Sequence, residues 1–341
     1  MRVGVFSSKS YDRQFLAEAN RAAKPSSHEL TFLETHLGQE TAVLGASFPA
    51  VCVFVNDRLD AQVLATLAAG DTRLVVLRCA GFNNVDVGAA ATLGLAVTRV
   101  PSYSPYAVAE HTVALLLTLA RKLHRAVPRI REGNFALDGL LGIELHGRTV
   151  GIVGTGKIGA TLARVLSGFG VTLLAADPEP DPSCRALGVT YLPLDELLAM
   201  SDVVTLHCPL TPGTRHLISD ERLSRMKRDA LLINTGRGAL IDTPAVVEAL
   251  KERRLGGLAL DVYEEEDELF FDDHSSEILE DDTFARLLTL PNVVVTGHQA
   301  FFTEKALDEI ARTTIASLSA FERGEPLVNQ VSEGRAPAAR P

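Results

Sequence analysis

The fold of this chain is decided by a short apolar strand and the glycine turn that follows it, which read Thr149-Val150-Gly151-Ile152-Val153-Gly154-Thr155-Gly156-Lys157-Ile158-Gly159. Apolar residues then recur at helical spacing as far as Gly170, and a second apolar run ends on the acid Asp177. The order of strand, turn, helix and strand predicts a parallel βαβ unit in which the glycines join the first strand to the helix.

The three glycines of this G-x-G-x-x-G pattern meet separate physical needs. Gly154 permits a tight turn, Gly156 lets the backbone approach a pyrophosphate, and Gly159 lets the helix pack closely on the strand. Amides at the start of the helix then face the phosphates. Asp177 would accept hydrogen bonds from an adenosine ribose and repel a 2′-phosphate. The pattern therefore predicts an NAD site with a preference over NADP, the alternative being an ordinary glycine-rich turn.

Length and composition exclude several functional classes. With 341 residues, of which 46% are hydrophobic, the chain is long enough for about two domains. A net charge of −10 argues against nucleic acid as a partner, because that surface needs clustered positive charge. No apolar stretch is long enough to span a bilayer and no signal peptide is recognisable, so we expect a cytoplasmic protein without a membrane partner. The cysteines are scattered without C-x-x-C spacing, so we expect reduced core thiols and no metal site: Cys52, Cys79, Cys184 and Cys208.

The rest of the chain alternates short apolar runs with helical segments, which is typical of parallel α/β domains. A helix that opens at Pro105 is apolar on nearly every face, which places a domain crossover there. Residues 125–148 are expected to form a loop-rich connection. The last helical pattern, Glu304 to Phe321, is expected to return to the N-terminal sheet, which otherwise lacks a partner, and the final residues have too little apolar surface to fold.

Three strand ends after the glycine turn carry unusual polar residues: Asn234 to Gly238, Asp261 to Glu266, and Thr296 to Gln299. In open α/β sheets ligands bind beyond the carboxyl ends of the strands. An arginine, a carboxylate and a histidine that converge there suit the reduction of a carbonyl beside a carboxylate.

In such a reaction Arg237 would bind the substrate, His298 would supply the proton and a glutamate would hold the imidazole charged. A lone histidine is more often structural, and an acidic run of this kind is usually a solvated loop. Spacing alone does not choose among Glu264, Glu265 and Glu266.

Motifs along almost the whole chain resemble those of the D-isomer-specific 2-hydroxyacid dehydrogenases, and more closely their fermentative bacterial D-lactate branch. Besides the glycine turn they are Leu77 to Asn84, Val100 to Pro105, Val108 to His111, Leu206 to Thr211, Asn234 to Asp242, Asp261 to Tyr263, and Gly297 to Phe301. The resemblance implies two Rossmann-like or flavodoxin-like parallel-sheet domains with the active-site cleft between them. The substrate domain would comprise residues 1–101 and 300–331, the NAD domain residues 102–299, and a disordered tail residues 332–341.

The resemblance also assigns roles residue by residue. It selects Glu266 as the catalytic glutamate, beside Arg237 and His298. It implies that the amides of Ala80 and Gly81 and the hydroxyl of Tyr103 bind the substrate carboxylate, while Phe54 and Phe301 wall the methyl side of a small pocket. Besides Gly154, Gly156 and Gly159, the implied NAD contacts are Lys157, Ile158, Asp177, Cys208, Pro209, Thr214, Thr235, Gly236 and Asp261.

The implied activity is the reversible reduction of pyruvate to D-lactate with NADH, in a homo-oligomer that is a dimer or a tetramer. A related enzyme acting on phenylpyruvate, branched 2-ketoacids or glyoxylate is the first alternative. The second belongs to another class, because NAD-binding transcriptional co-repressors resemble the same family and act by recruiting peptides.

Overall fold

The computed structural model of the chain describes residues 1–23, 28–266 and 269–331, and it divides into two compact units. One unit comprises Met1–Ser104 and the segment that begins at Phe302, and the other is Pro105–Phe301. The tail predicted at residues 332–341 lies outside the described residues.

The N-terminal unit is built on a five-stranded parallel sheet. Its strands are β1 (Arg2–Val5), β2 (Glu29–Phe32), β3 (Ala50–Val53), β4 (Leu74–Leu77) and β5 (Ala96–Thr98), in the order β2-β1-β3-β4-β5. Its helices are α1 (Ser10–Ala22), α2 (Ala42–Gly45), α3 (Ala61–Ala69), α4 (Val87–Thr92) and the C-terminal helix Glu304–Glu322. The side chains of Asp60 and Asp86 accept backbone N–H groups at the starts of α3 and α4, which fixes where these helices begin.

The C-terminal helix packs on α1 and completes the core of this unit. Its residues Ala311, Ile315 and Leu318 join Val3 and Val76 of the sheet in one buried apolar cluster. The C-terminal helix and α1 therefore cover this face of the sheet together.

The second unit is built on a seven-stranded parallel sheet. Its strands are β6 (Thr149–Val153), β7 (Thr172–Ala176), β8 (Thr190–Tyr191), β9 (Val203–Leu206), β10 (Leu231–Asn234), β11 (Gly257–Leu260) and β12 (Val293–Val295), in the order β12-β11-β10-β9-β6-β7-β8. Its helices are α5 (Pro105–Ala120), α6 (Leu123–Arg131), α7 (Lys157–Leu166), α8 (Pro182–Ala186), α9 (Leu194–Met200), α10 (Asp220–Arg225), α11 (Thr243–Lys251) and α12 (Asp282–Thr289). The two parallel sheets with their helices confirm the predicted α/β class.

Helix α5 is buried because it packs against α7 on one side and against β10, β11 and β12 on another. Ala109, Val113 and Leu116 lie in the apolar cluster that covers this face of the sheet, and a second cluster covers the opposite face. Parallel sheets require both faces to be covered.

The structure contains elements that the sequence patterns did not predict. Residues 125–148 were expected to be loop-rich, but α6 extends through them to Arg131 despite Pro128 within it. A proline inside a helix removes one hydrogen bond and crowds the carbonyl four residues earlier, so a helix through Pro128 is unusual. Strands β2 and β8 were not predicted, because each lies at the edge of its sheet without a fully buried residue and so lacks the apolar run that marks the inner strands.

Among the described helices, none combines the length and the apolar character that a bilayer crossing requires.

Candidate active site

The polar residues singled out in the sequence lie at one edge of the seven-stranded sheet. Every strand pair in this sheet is parallel, so the loops that follow the strands share that edge. Going out from the glycine turn after β6, these loops carry Asp177 after β7, His207 after β9, Thr235 after β10, Asp261 after β11 and Thr296 after β12. The order of strands reverses between β6 and β9, and a crevice at such a point is where open α/β sheets bind ligands.

The glycine turn has the geometry that a dinucleotide site needs. Gly154 has a φ of +92°, and a Cβ there would lie 2.6 Å from the amide nitrogen of Cys208. A Cβ on Gly159 would collide with the carbonyl oxygen of Gly154. A Cβ on Gly156, in contrast, would meet nothing within 4 Å. Close packing within the chain therefore explains why Gly154 and Gly159 are glycines. The open space beside Gly156 fits a ligand that approaches the backbone there.

Asp177 lies at the tip of β7 and contacts the glycine turn directly. Its Oδ2 accepts hydrogen bonds from the amide of Thr155 at 2.6 Å and from the hydroxyl of Thr155 at 3.2 Å, and its Oδ1 accepts from the amide of Glu179 at 2.8 Å. The hydroxyl of Tyr191 donates to Thr155 at 2.9 Å and extends this network. Since each carboxylate oxygen has about two lone pairs, Asp177 keeps acceptor capacity for a ribose hydroxyl.

His298 and Glu266 form a hydrogen-bonded pair. The imidazole Nδ1 lies 2.8 Å from Oε1 of Glu266, and the other carboxylate oxygen accepts the amide of Tyr263 at 2.8 Å. A carboxylate only accepts, so Nδ1 carries the hydrogen and Nε2 is left for a second partner. Both side chains are more than four-fifths buried, which strengthens the interaction.

The ring of His298 lies between two aromatic side chains. The centroid of Phe271 is 5.7 Å away in a tilted arrangement, and that of Phe301 is 6.4 Å away, edge to face. His298 itself has a φ of +50°, in the left-handed region that non-glycine residues seldom adopt. Strain of this kind persists only where the surroundings fix the backbone.

Those surroundings are centred on Asp261. Its carbonyl accepts the amide of His298 at 2.7 Å, its Oδ1 accepts from Gln299 and from the hydroxyl of Thr296, and its Oδ2 accepts from Ala300. The ring nitrogen Nε2 of His111 lies 3.2 Å from Oδ1. Burial alone would raise the pKa of Asp261, but these hydrogen bonds together lower it. Asp261 thus holds the loop that carries His298. Sequence reasoning quoted His111 in a motif and gave it no role.

Arg237 lies in a loop that packs against the loop of Glu266. A Cβ on Gly238 would collide with the backbone of Tyr263, so only glycine permits this contact. The side-chain amide of Asn234 donates to the carbonyl of Arg237 at 2.8 Å and its oxygen accepts the amide of Gly236 at 3.0 Å, which fixes the turn. The structure thus assembles the loops of Arg237, Glu266 and His298 within one unit.

The other two glutamates of the acidic run are placed differently. Glu264 accepts from Arg215 at 2.6 Å and from His216 at 2.8 Å, and Glu265 is exposed. Neither is paired with His298 in the described part of the chain.

The remaining residues expected near NAD lie in the same row of loops. Thr214 donates to the carbonyl of Pro209 at 2.6 Å, and Thr235 lies 2.9 Å, hydroxyl to hydroxyl, from Thr112 of α5. Burial raises the pKa of Cys208 to about 11, so its thiol stays protonated. The neighbouring His207, which sequence reasoning quoted in a motif without giving it a role, has both ring nitrogens buried without a partner among the described residues.

The residues expected to bind substrate fall in both units. Phe301 lies in the second unit, whereas Phe54, Ala80, Gly81 and Tyr103 lie in the N-terminal unit. The carbonyl of Ala80 accepts from Arg99 at 2.8 Å and that of Gly81 from Cys79 at 3.3 Å, which orients the two peptides. Within the described part of the chain the amides of Ala80 and Gly81 donate to no other group, so both are available to an anion.

Comparison with known proteins identifies the family. Residues 113–300 match the family described as D-isomer specific 2-hydroxyacid dehydrogenase, NAD binding domain. The chain is 55% identical over 321 residues to 2-hydroxyacid dehydrogenase A of Aspergillus oryzae, an overlap that covers 94% of this chain and 92% of that protein. The chain belongs to the D-isomer specific 2-hydroxyacid dehydrogenases.

Two further relatives of this D-2-hydroxyacid dehydrogenase carry a more specific name. The chain is 52% identical over 337 residues to a D-lactate dehydrogenase of Curvularia clavata, and the overlap covers 98% of this chain and 96% of that protein. The apo-structure of D-lactate dehydrogenase from Escherichia coli matches it with a TM-score of 0.88 at 45% identity, covering 97% of this chain and all of that one. The predicted family, fold class and NAD dependence are confirmed, and the chain is an NAD-dependent oxidoreductase.

Proposed function

We propose that this D-2-hydroxyacid dehydrogenase is a D-lactate dehydrogenase, which reduces pyruvate to D-lactate with NADH and also catalyses the reverse reaction. The observation that carries the proposal is the buried pair of His298 and Glu266 beside the loop of Arg237. The names of relatives about half identical to this chain support lactate as the product.

In this proposal the chain's own groups position the substrate and move one proton. NADH, when bound, supplies the hydride. Arg237 binds the carboxylate and the carbonyl oxygen of the 2-ketoacid through charge-assisted hydrogen bonds. His298 gives a proton to that oxygen from Nε2, because Nδ1 is engaged by Glu266. Glu266 keeps the ring oriented and its negative charge stabilises the protonated imidazole.

Substrate size would be set by the residues of the expected pocket. The amides of Ala80 and Gly81 and the hydroxyl of Tyr103 would bind the carboxylate, while the side chains of Phe54 and Phe301 would leave room for little more than a methyl group. Both phenylalanines are more than nine-tenths buried, so neither ring is free to swing out into solvent.

The cofactor would be bound by the glycine turn and the loops in line with it. The amides at the start of α7 would face the pyrophosphate and Asp177 the adenosine ribose. Lys157, Ile158, Cys208, Pro209, Thr214, Thr235, Gly236 and Asp261 complete the proposed contacts. In this proposal residues 102–299 form the NAD-binding domain, and residues 1–101 and 300–331 form the substrate-binding domain.

A substrate panel tests this proposal against its rivals. The purified chain is mixed with NADH or NADPH and with pyruvate, phenylpyruvate, a branched 2-ketoacid or glyoxylate, and the loss of reduced cofactor is followed by absorbance. The highest kcat/KM is expected for pyruvate with NADH, at a turnover of about ten per second or more. A higher value for another ketoacid would make the chain a related reductase, and negligible turnover with all of them would favour a co-repressor-like NADH sensor.

We also propose that the chain works as a homo-oligomer in the cytoplasm, with no nucleic-acid or membrane partner. Helix α6 has no buried residue, yet it and the segment that follows it present a run of exposed apolar side chains: Leu123, Val127, Ile130, Phe135, Leu137 and Leu141. Contiguous apolar surface of this kind is typical of an interface. The four cysteines are free thiols, which suits a reducing compartment.

A further inference from the structure

The N-terminal unit contains a fully buried arginine, Arg78, directly after β4. Its Nε donates to Asp12 at 3.0 Å and its Nη2 donates to the carbonyl of Ser7 at 2.8 Å. The guanidinium is about 1% exposed, and its Nη1 has no partner among the described residues. Taking this pair of charges out of water is costly, and such pairs add little net stability. The arginine therefore needs an explanation other than stability.

Its flat face gives one, because the guanidinium stacks on the ring of Phe54. The guanidinium carbon lies 4.8 Å from the ring centroid, which is within the range of a favourable cation–π interaction. Phe54 is the residue proposed to wall the substrate pocket. Stacking against a rigid plane restricts how far the ring can tilt.

The backbone of Phe54 is held by hydrogen bonds at both its amide and its carbonyl. Its amide donates to Oδ2 of Asp57 at 2.6 Å, and its carbonyl accepts from the side chain of Asn84 at 2.8 Å. Oδ1 of Asp57 accepts the hydroxyl of Ser7 at 2.6 Å, and Ser7 has a φ of +50°. Ser7 thus links the carboxylate that holds the backbone of Phe54 to the arginine that holds its ring. A strained residue within a dense polar network is typical of a site whose geometry matters.

We infer that Arg78 is a positioning residue that fixes the ring of Phe54 and thereby sets which 2-ketoacids the enzyme accepts. The inference rests on the proposed function, since it concerns the selectivity of that same site. Without the guanidinium the ring can tilt away, which enlarges the pocket and weakens contact with a small substrate. Bulky 2-ketoacids should gain relative to pyruvate.

The test is Arg78→Lys, which keeps the positive charge near Asp12 and removes the planar face. The ratio of kcat/KM for phenylpyruvate to that for pyruvate is expected to rise by about fivefold, because the flexible lysine stem cannot hold the ring of Phe54 as the planar guanidinium does. Arg2→Lys is the matched control, because Arg2 stacks on Phe48 at 5.7 Å elsewhere in the same unit. Its ratio should equal that of the wild type.

A double-mutant cycle separates positioning from a general structural effect. Phe54→Leu should itself raise the ratio, and adding Arg78→Lys to Phe54→Leu should change it no further, because the arginine acts through that ring. Independent, multiplicative effects of the two substitutions would overturn the inference, as would an unchanged ratio in a folded Arg78→Lys.

A second variant covers the case in which Arg78→Lys shows no cooperative thermal unfolding. Arg78→Gln combined with Asp12→Asn removes both buried charges together, so neither is left unpaired. The same rise in the ratio is expected, and an unchanged ratio would again overturn the inference. Failure of the proposed function is distinguishable, because then the wild type itself would turn over no 2-ketoacid.

Discussion

Nδ1 of His298 lies 2.8 Å from Oε1 of Glu266, while Glu264, two residues earlier, is paired with Arg215 and His216. The two carboxylates belong to the same acidic run, but only one of them orients the imidazole. Glu266→Gln removes the charge that stabilises the protonated ring, so kcat for pyruvate reduction is expected to fall about a hundredfold or more in steady-state assays.

Glu264→Gln is the matched control for that substitution. It removes the same charge and so weakens the ion pairs with Arg215 and His216, which should slightly lower the midpoint of thermal unfolding. The turnover number should stay within about threefold of the wild type, because mutations outside the reacting groups leave transition-state binding largely intact. Equal losses of kcat in the two variants would mean that Glu266 has no special role.

Asp177 provides a test of cofactor selection. Asp177→Asn retains a carbonyl oxygen that can accept the amide of Thr155, and it removes the negative charge that would repel a 2′-phosphate. The ratio of kcat/KM with NADH to kcat/KM with NADPH should fall about thirtyfold, which corresponds to about 2 kcal/mol, the scale of one hydrogen bond to a charged group. Asp177→Ala should change the ratio similarly but also raise the KM for NADH further, since the turn loses its acceptor. A ratio that both substitutions leave unchanged would remove Asp177 from this role.

We expect His207 to make the folded chain less stable in acid. Burial lowers the pKa of its imidazole to about 4, below the ordinary value of 6.5. Below about pH 6.5 the unfolded chain therefore binds a proton at His207 that the folded chain does not. As the pH drops from about 6.5 to about 4, the contribution of His207 to the free energy of unfolding decreases. Between pH 7 and pH 5 the loss from this residue should be about 2 kcal/mol.

The measurement is the free energy of unfolding from urea titrations at several pH values. In His207→Phe, which keeps a ring of similar size in the same place, the stability should fall less between pH 7 and pH 5 than in the wild type. Parallel curves for the two proteins would show that His207 is not a source of acid sensitivity.

The strands that are buried on both faces could be predicted from the sequence. The inner strands β3, β4, β9 and β10 are apolar at nearly every position, and this is the pattern that the sequence offered. Strand β2 lies at an edge and α6 buries no residue, so neither carries a strong apolar signal. A proline such as Pro128 is also unusual inside a helix.

The residue types of the site could be predicted from the sequence, but most of the contacts between them could not. Three strand ends with unusual polar residues were visible, but spacing alone left three glutamates open, and only family resemblance selected Glu266. The network that holds His298 could not be predicted in this way. His111 lies 150 positions before Asp261 in the chain, and only the packing of α5 against β11 and β12 brings the two together.

The exposed apolar side chains of α6 predict what would dissociate the proposed oligomer. Val127 and Ile130 lie on α6 and are each more than half exposed in the chain, so replacing them removes little internal packing. Val127→Glu with Ile130→Glu should place repelling charges on a surface that the partner subunit covers, and the variant should sediment as a monomer near 36.6 kDa.

Exposed sites elsewhere serve as controls for that variant. Val43→Glu with Leu44→Glu changes two similarly exposed apolar residues of α2, in the other unit, and should leave the sedimentation coefficient at the wild-type value. Both variants should unfold at the same temperature as the wild type, except that the α6 variant loses any stability that assembly itself supplies. If the wild type already sediments as a monomer, or if the α6 variant still assembles, this face is not the interface.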